Sequence, residues 1–421
     1  MDTGPPSQTD FLVLKTLIDE ASQLKSLHKT RAPNREPNEA GEWQCGGCRR
    51  FLPVQFFCAN TRSPRIPVAF YCRDCDVQRA RAYYRTLRGN VKRLSAAARY
   101  RSNRRNQVCT LTIHDIFCML WNQKGRCSYS GVAMEILIPN SHWRMSLERK
   151  DNNCGYTPGN CVLIAAEFNT SDFSRYAGVV LEHVTGTAQW SACKVHSVSG
   201  MRSRNVDLGL LTEDIQQARS KSFRGGRSRT RVREPNALGE FQCCKCKAYK
   251  SLPDFSRHPT SSCGIQSYCR ACQKHIRCNH RRTLRGLVQQ MLSGARQSSL
   301  SRQQVYALEP DHILVKLWLQ GGRCFYSGVL LEYQDYHTDW QMSLERLDNS
   351  IGYTWENCVL IVLEFQTADN SRNKAKTEVF GTAQWSRAKV AHVWGESSGE
   401  EVLRAVQPYD CQGEFSPKGF M

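Results

Sequence analysis

Apolar and polar positions alternate along this chain with two periods, and the change of period marks its elements. Leu14, Leu17, Ile18, Ala21 and Leu24 recur at helical spacing and predict one amphipathic helix over 9–29, capped by Thr9 or Asp10 and packed on the domain C-terminal to it. Between positions 79 and 105 the pattern stays helix-compatible but turns strongly polar. Met145-Ser146-Leu147-Glu148-Arg149 then alternates as a strand does, and Asn152 to Gly159 is turn-rich. Asn160-Cys161-Val162-Leu163-Ile164 reads as a second strand, and Glu167 to about Tyr176 as a helix. No stretch approaches the roughly 18 apolar residues of a membrane helix. The opening Met1-Asp2-Thr3-Gly4-Pro5-Pro6 has no basic segment ahead of an apolar one. The expected setting is intracellular, nuclear in a eukaryote and cytoplasmic otherwise, with no membrane partner.

The same pattern is written twice, about 197 residues apart. Glu36-Pro37-Asn38 returns as Glu234-Pro235-Asn236, and Thr86-Leu87-Arg88-Gly89 as Thr283-Leu284-Arg285-Gly286. Arg126-Cys127-Ser128-Tyr129-Ser130-Gly131 returns as Arg323-Cys324-Phe325-Tyr326-Ser327-Gly328. From Met145 to Thr170, 18 of 26 positions equal those from Met342 to Thr367, which makes this a duplication. The expected organisation is an N-terminal helix (1–35), a module (36–194), a linker (195–233), a second module (234–390) and a tail (391–421) without readable signal. The linker ends in the basic run Arg224 to Arg233, which fits a mobile spacer, a phosphate-touching arm or a nuclear-import signal. The expected fold class is α+β, each module combining a zinc ribbon, a basic helical segment and a ββα hairpin.

Charge narrows the partner. Lys and Arg number 58 against 38 Asp and Glu, a net charge of +20, which points to a polyanion and to nucleic acid before a membrane surface. The excess gathers in Arg81, Arg85, Arg88, Lys92, Arg93, Arg99, Arg101, Arg104 and Arg105, with Tyr83, Tyr84 and Tyr100 interleaved, and again in Arg281, Arg282 and Arg285. Positive charge along a helix is what tracking a phosphate backbone needs, whereas nothing in the segment spells a base-reading code. DNA is the favoured partner over RNA, and no small-molecule cofactor is implied.

The 21 cysteines sharpen the picture. Cys45, Cys48, Cys72 and Cys75 form two Cys-x-x-Cys knuckles, and Cys243, Cys246, Cys269 and Cys272 repeat them. Four thiolates at this spacing suit one tetrahedral Zn²⁺ with Zn–S near 2.3 Å and no open position. The expected metal is therefore structural, two ions per chain. Cys127 and Cys161, recurring as Cys324 and Cys358, are too few for another such site and read as core residues.

The best-kept block resembles the HNH nuclease superfamily. The resemblance rests on Tyr129-Ser130-Gly131, Ser146-Leu147-Glu148-Arg149, Gly155-Tyr156-Thr157, Asn160-Cys161-Val162-Leu163-Ile164 and Glu167-Phe168-Asn169-Thr170. It implies a ββα-metal hairpin that hydrolyses phosphodiester bonds in DNA with Mg²⁺ or Mn²⁺. Carried over residue by residue, it places Glu148 as the acidic ligand, Asn160 as the loop-end asparagine and Asn169 as the helix ligand. In the second copy these are Glu345, Asn357 and Gln366. Where the family has its general-base histidine this chain has Arg149 and Arg346, which cannot accept a proton but could clamp a phosphate. Because Gln366 replaces the helix ligand in the second copy, the first copy is the expected active one, with Glu148, Asn169 and Arg149 converging on one cleft, which requires a bulge or strong twist at the strand end. The alternative is a silent, zinc-stabilised nucleic-acid-binding protein derived from a nuclease.

Overall fold

The structure, a computed structural model, describes residues 8–23, 35–60, 66–138, 141–169, 190–220, 233–259, 261–334, 339–366 and 385–396. Contacts divide the chain into two compact units, with the boundary among these residues between His196 and Ser197. The first unit runs α1 (Gln8–Gln23), β1 (Trp43–Gln44), β2 (Phe51–Leu52), β3 (Phe57–Ala59), β4 (Val68–Cys72), α2 (Arg73–Tyr84), α3 (Leu87–Arg105) and α4 (Ile113–Asn122). It continues with β5 (Met145–Arg149), β6 (Cys161–Ala165) and a 3₁₀ turn, Ala166–Asn169; the boundary then falls within α5 (Ala192–Arg202). The second unit repeats the order from α6 (Leu208–Arg219) through β7 (Phe241–Gln242), β8 (Tyr249–Lys250), β9 (Phe255–Arg257), β10 (Ile265–Cys269) and α7 (Arg270–Arg281). It ends with α8 (Leu284–Arg302), α9 (Pro310–Leu319), β11 (Met342–Arg346), β12 (Cys358–Val362) and α10 (Arg387–Trp394). Every sheet among the described residues is a two-stranded antiparallel hairpin, so the class is α+β.

The linker read from the sequence needs correction. The expected linker over 195–233 contains a capped, half-buried helix. Asp207 accepts from the Leu210 amide at 3.0 Å, and Leu211, Ile215 and Ala218 are buried on one face of α6. That helix is the counterpart of α1: Leu14 and Ala21 lie 197 positions before Leu211 and Ala218, and all four are buried. The duplication therefore begins with this helix in each copy, ahead of the Glu-Pro-Asn motif. Helix α1 is described over Gln8–Gln23; the rest of the expected helix, 24–29, lies outside the described set, as do the side chains of its expected caps. Most of the basic run 224–233 also lies outside it; Arg233, its last member, is built into the fold.

The polar stretch after the second cysteine pair forms a helical hairpin, α2 and α3. Helix α3 starts where the Thr86 hydroxyl accepts from the Gly89 amide at 3.1 Å, and ends where Asn106 turns left-handed at φ 52°. Leu87, Val91, Leu94 and Ala98 recur at helical spacing and are buried, a stripe hidden in sequence by the arginines between them. The turn explains why Thr-Leu-Arg-Gly occurs in both copies. A Cβ on Gly89 would lie 1.9 Å from the Tyr83 carbonyl oxygen, and one on Gly286 would lie 1.8 Å from that of His280, so only glycine lets the helices approach. The arginine of the motif reaches the helix ahead of the ribbon: Arg88 donates to the Ala21 carbonyl on α1 and Arg285 to that of Ala218 on α6.

Candidate metal centres and basic surfaces

The ribbons are assembled by short hairpins. Strands β1 and β2 hold the first knuckle, and Cys72 caps α2, which carries Cys75 in its first turn. Arg49 and Lys247, next to the knuckles, adopt left-handed backbone at φ 62°. In each set the four sulfurs lie within 4.8 Å of one another, so each is within roughly 3 Å of a common centre. Both sets could therefore hold a metal ion, and the donors fit: four sulfurs and no carboxylate. The buried ribbon core is only Trp43, Cys45, Phe57, Val68 and Cys72, with Phe241, Cys243, Phe255, Ile265 and Cys269 in the second unit. Two of each five are metal-site cysteines, so an ion held by the four sulfurs would add to a small apolar cluster.

The sulfurs of the set sit in unequal surroundings. Burial opposes ionisation of Cys45, but the amides of Cys72, Cys48 and Gly47 point at its sulfur and hold it at about 6. Cys75 is pushed up to about 12, first by its hydrogen bond with the Cys72 thiol.

One residue of the ribbon escaped the sequence reading. Arg35 lies over the Phe70 ring, 5.0 Å from its centroid, and donates to the carbonyls of Gln44, Phe70, Val68 and Ala69. Arg233 does the same in the second unit, donating to Gln242, Ser267, Ile265 and Gln266. Their recurrence 198 positions apart, each one residue before Glu-Pro-Asn, was the available signal.

Of the residues assigned by resemblance to a catalytic cleft, Glu148, Arg149, Glu345, Arg346 and Asn357 are buried, and Asn160, Asn169 and Gln366 are half-buried. Strand β5 pairs with β6 in unbroken register, Glu148 opposite Val162 and Arg149 opposite Cys161, so no bulge brings the two side chains to one face. Arg149 is 2% exposed. One of its nitrogens donates to Gln107 Oε1 at 2.8 Å, Asn152 O at 3.0 Å and Cys154 O at 2.9 Å; the other reaches Asn152 Oδ1 at 2.8 Å. Arg346 repeats the arrangement on Gln304, Asn349 and Ile351. The expected phosphate clamp is thus a loop clamp.

Asn160 works on the same loop, accepting from the Asp151 amide and donating to the carbonyls of Asp151 and Gly155, as Asn357 does with Asp348 and Gly352. Asp151 and Asp348 accept from the amides of Asn153 and Ser350 at 2.8 Å, the turn-forming role.

Glu148 is buried, as is Glu345, and each carboxylate raises the pKa of a tyrosine, Tyr129 and Tyr326, behind the larger effect of burial. Asn169 donates to Ser146 Oγ at 2.9 Å and Leu147 O at 3.0 Å. Gln366 accepts from Ser343 and donates to Leu344 O and, at 3.0 Å, to Glu345 Oε2. In the second unit the Gln366 amide N–H thus faces the carboxylate, and among the described residues the groups of three or more His, Cys, Asp or Glu that could hold a metal ion are the two cysteine sets. The 3₁₀ turn ends at Asn169, and the rest of the expected helix, 170–176, lies outside the described set. A buried carboxylate that sequence reasoning left without a role is Glu167, 3.2 Å from His142 Nδ1; Glu364, its counterpart, is also buried.

The basic residues separate into exposed members and members bonded within the fold. Arg81, Arg85, Arg99, Arg101, Arg104 and Arg105 are exposed, as are Arg281 and Arg282. Arg88 and Arg285 are half-buried and serve the carbonyls of the neighbouring helix. Arg93 is half-buried too, bonded to Asn90 Oδ1 at 3.0 Å, and Lys92 lies beside the Tyr83 ring. Helix α3 has 19 residues with seven Lys or Arg and no acid, so its exposed face is an undiluted positive stripe. No protein-family model, curated protein or solved structure matches this chain.

Proposed function

We propose that this chain is a zinc-stabilised nucleic-acid-binding protein whose HNH-like hairpins are scaffold and whose helical hairpins make the contact. The observation that carries this reading is the sorting of arginines. Those at the family's catalytic position, Arg149 and Arg346, are 2% exposed and bonded to loop carbonyls, while Arg99, Arg101, Arg104 and Arg105 are exposed on a helix without an acidic residue. Zinc is the ion that four converging cysteines suit, and its place is to hold each ribbon against the start of the basic hairpin. Phosphate oxygens, DNA before RNA, are the groups the hairpins would meet.

Incubating plasmid DNA with the zinc-loaded protein and Mg²⁺ or Mn²⁺ tests the silent reading. The expected result is binding without metal-dependent nicking. Nicking that Glu148→Ala abolishes would restore the nuclease reading in its place.

A further inference from the structure

The helical hairpins of the two units differ in the groups they present along the seam between their helices. In the second unit the groove is a cavity of about 410 Å³ whose lining includes Arg277, His280, Arg281, Gln289 and Gln290. There His280 Nε2 lies 2.8 Å from Gln289 Oε1. At the matching positions of the first unit stand Tyr83 and Tyr84 on α2, and Lys92 and Arg93 on α3. Aromatic rings have replaced the cationic and imidazole groups of one helix, and cations have replaced the amides of the other.

The first unit's rings are accessible. Tyr83 and Tyr84 are 39% and 38% exposed, with centroids 6.1 Å apart and planes tilted at 49°. Lys92 Nζ is 5.9 Å from the Tyr83 centroid. One turn earlier on α2, Arg79 lies 3.7 Å over the Tyr71 ring, and Arg79 and Tyr83 share a face by their spacing of four. Rings and cations therefore alternate along this side of the first hairpin. In the second unit Ile276 takes the place of Arg79 and His280 that of Tyr83, which breaks the series.

Resting on the nucleic-acid reading above, we infer that the ring-and-cation face of the first unit's α2–α3 hairpin binds unpaired nucleotides, stacking their bases on Tyr83 and Tyr84 beside Lys92 and Arg79, whereas the second unit's groove meets backbone alone. The chemistry comes from what each strand form exposes. A duplex hides its base faces, so exposed phenol rings gain nothing from it, while a single strand offers a π-face at every nucleotide and a phosphate to match each cation. The second groove, with cations and amides and no phenol ring among the groups named, is suited to phosphates in either form.

The test uses the full zinc-loaded chain and two fluorescein-labelled probes of equal length, a single-stranded oligothymidine and a mixed-sequence duplex, read by anisotropy at one salt concentration. Tyr83→Ala with Tyr84→Ala should weaken binding of the single strand about tenfold or more and change duplex binding less than about twofold. Tyr83→Phe with Tyr84→Phe should keep the single-strand affinity, since the ring does the stacking. The alanine pair lies on exposed positions, and an unchanged zinc content establishes that the fold is intact. Unchanged single-strand affinity, or equal loss on both probes, overturns the inference while leaving the nucleic-acid reading in place. Failure of the unmodified chain to bind either probe overturns that reading and the inference with it.

Discussion

Arg149 shows how a side chain's neighbours decide its role when its position in a motif suggests another. The strand pattern Met-Ser-Leu-Glu-Arg makes Glu148 and Arg149 face opposite ways, and the hairpin keeps that geometry because both of its faces are covered. The guanidinium then finds its partners in the loop that joins the strands, over the Tyr156 ring at 5.0 Å. Arg149→Ala would leave the carbonyls of Asn152 and Cys154 short of a donor, at a cost on the order of 3 kcal/mol. Denaturant unfolding of the zinc-loaded protein should show that loss, with DNA affinity in low salt unchanged. Wild-type stability combined with weakened DNA binding would instead return Arg149 to a phosphate site. The metal-site cysteines were legible in sequence because ligand spacing is a local rule. The arginine's partners were not, because Gln107 lies 42 positions away and no periodicity links the two.

At the scale of elements, each ribbon depends on its four sulfurs and each basic hairpin on the ribbon that starts it. Purified protein should carry two zinc ions per chain, and a strong chelator should remove them with loss of the β1–β4 and β7–β10 hairpins, seen as new amide exchange over 35–72 and 233–269. Retained protection there after complete metal removal would show that the small apolar clusters suffice alone. Helix α3 offers the complementary experiment. Replacing Arg99, Arg101, Arg104 and Arg105 with alanine should reduce the slope of log K against log salt by up to about four. Arg88→Ala, by contrast, should lower stability through its lost bond to the Ala21 carbonyl and leave the slope nearly intact. An unchanged slope in the quadruple variant would mean that this face does not meet nucleic acid. The sequence displayed the charge of α3 but not its division of labour. Exposed and half-buried arginines look alike until the stripe Leu87, Val91, Leu94 and Ala98 fixes which side is inside.

The two units are a duplication in which scaffold was kept and surfaces diverged. Loop clamp, ribbon arginine, Thr-Leu-Arg-Gly turn and the helix ahead of each ribbon occur in both units. Positions 101 and 104 of α3, by contrast, are arginines that α8 answers with Ser298 and Ser301. The extent of the repeat was only partly legible, because α1 and α6 share little beyond Leu14, Ile18 and Ala21 with their counterparts Leu211, Ile215 and Ala218. Helix packing tolerates change at every other position. Such a molecule should bind nucleic acid chiefly by displacing counterions from phosphate. The most direct measurement is the affinity of the intact, zinc-loaded chain for a mixed-sequence duplex across a salt series from about 50 to 200 mM. The account predicts a linear fall of log K with log salt, steep enough to release about six or more counterions and largely independent of sequence. A flat dependence, or no binding at the lowest salt, would contradict it.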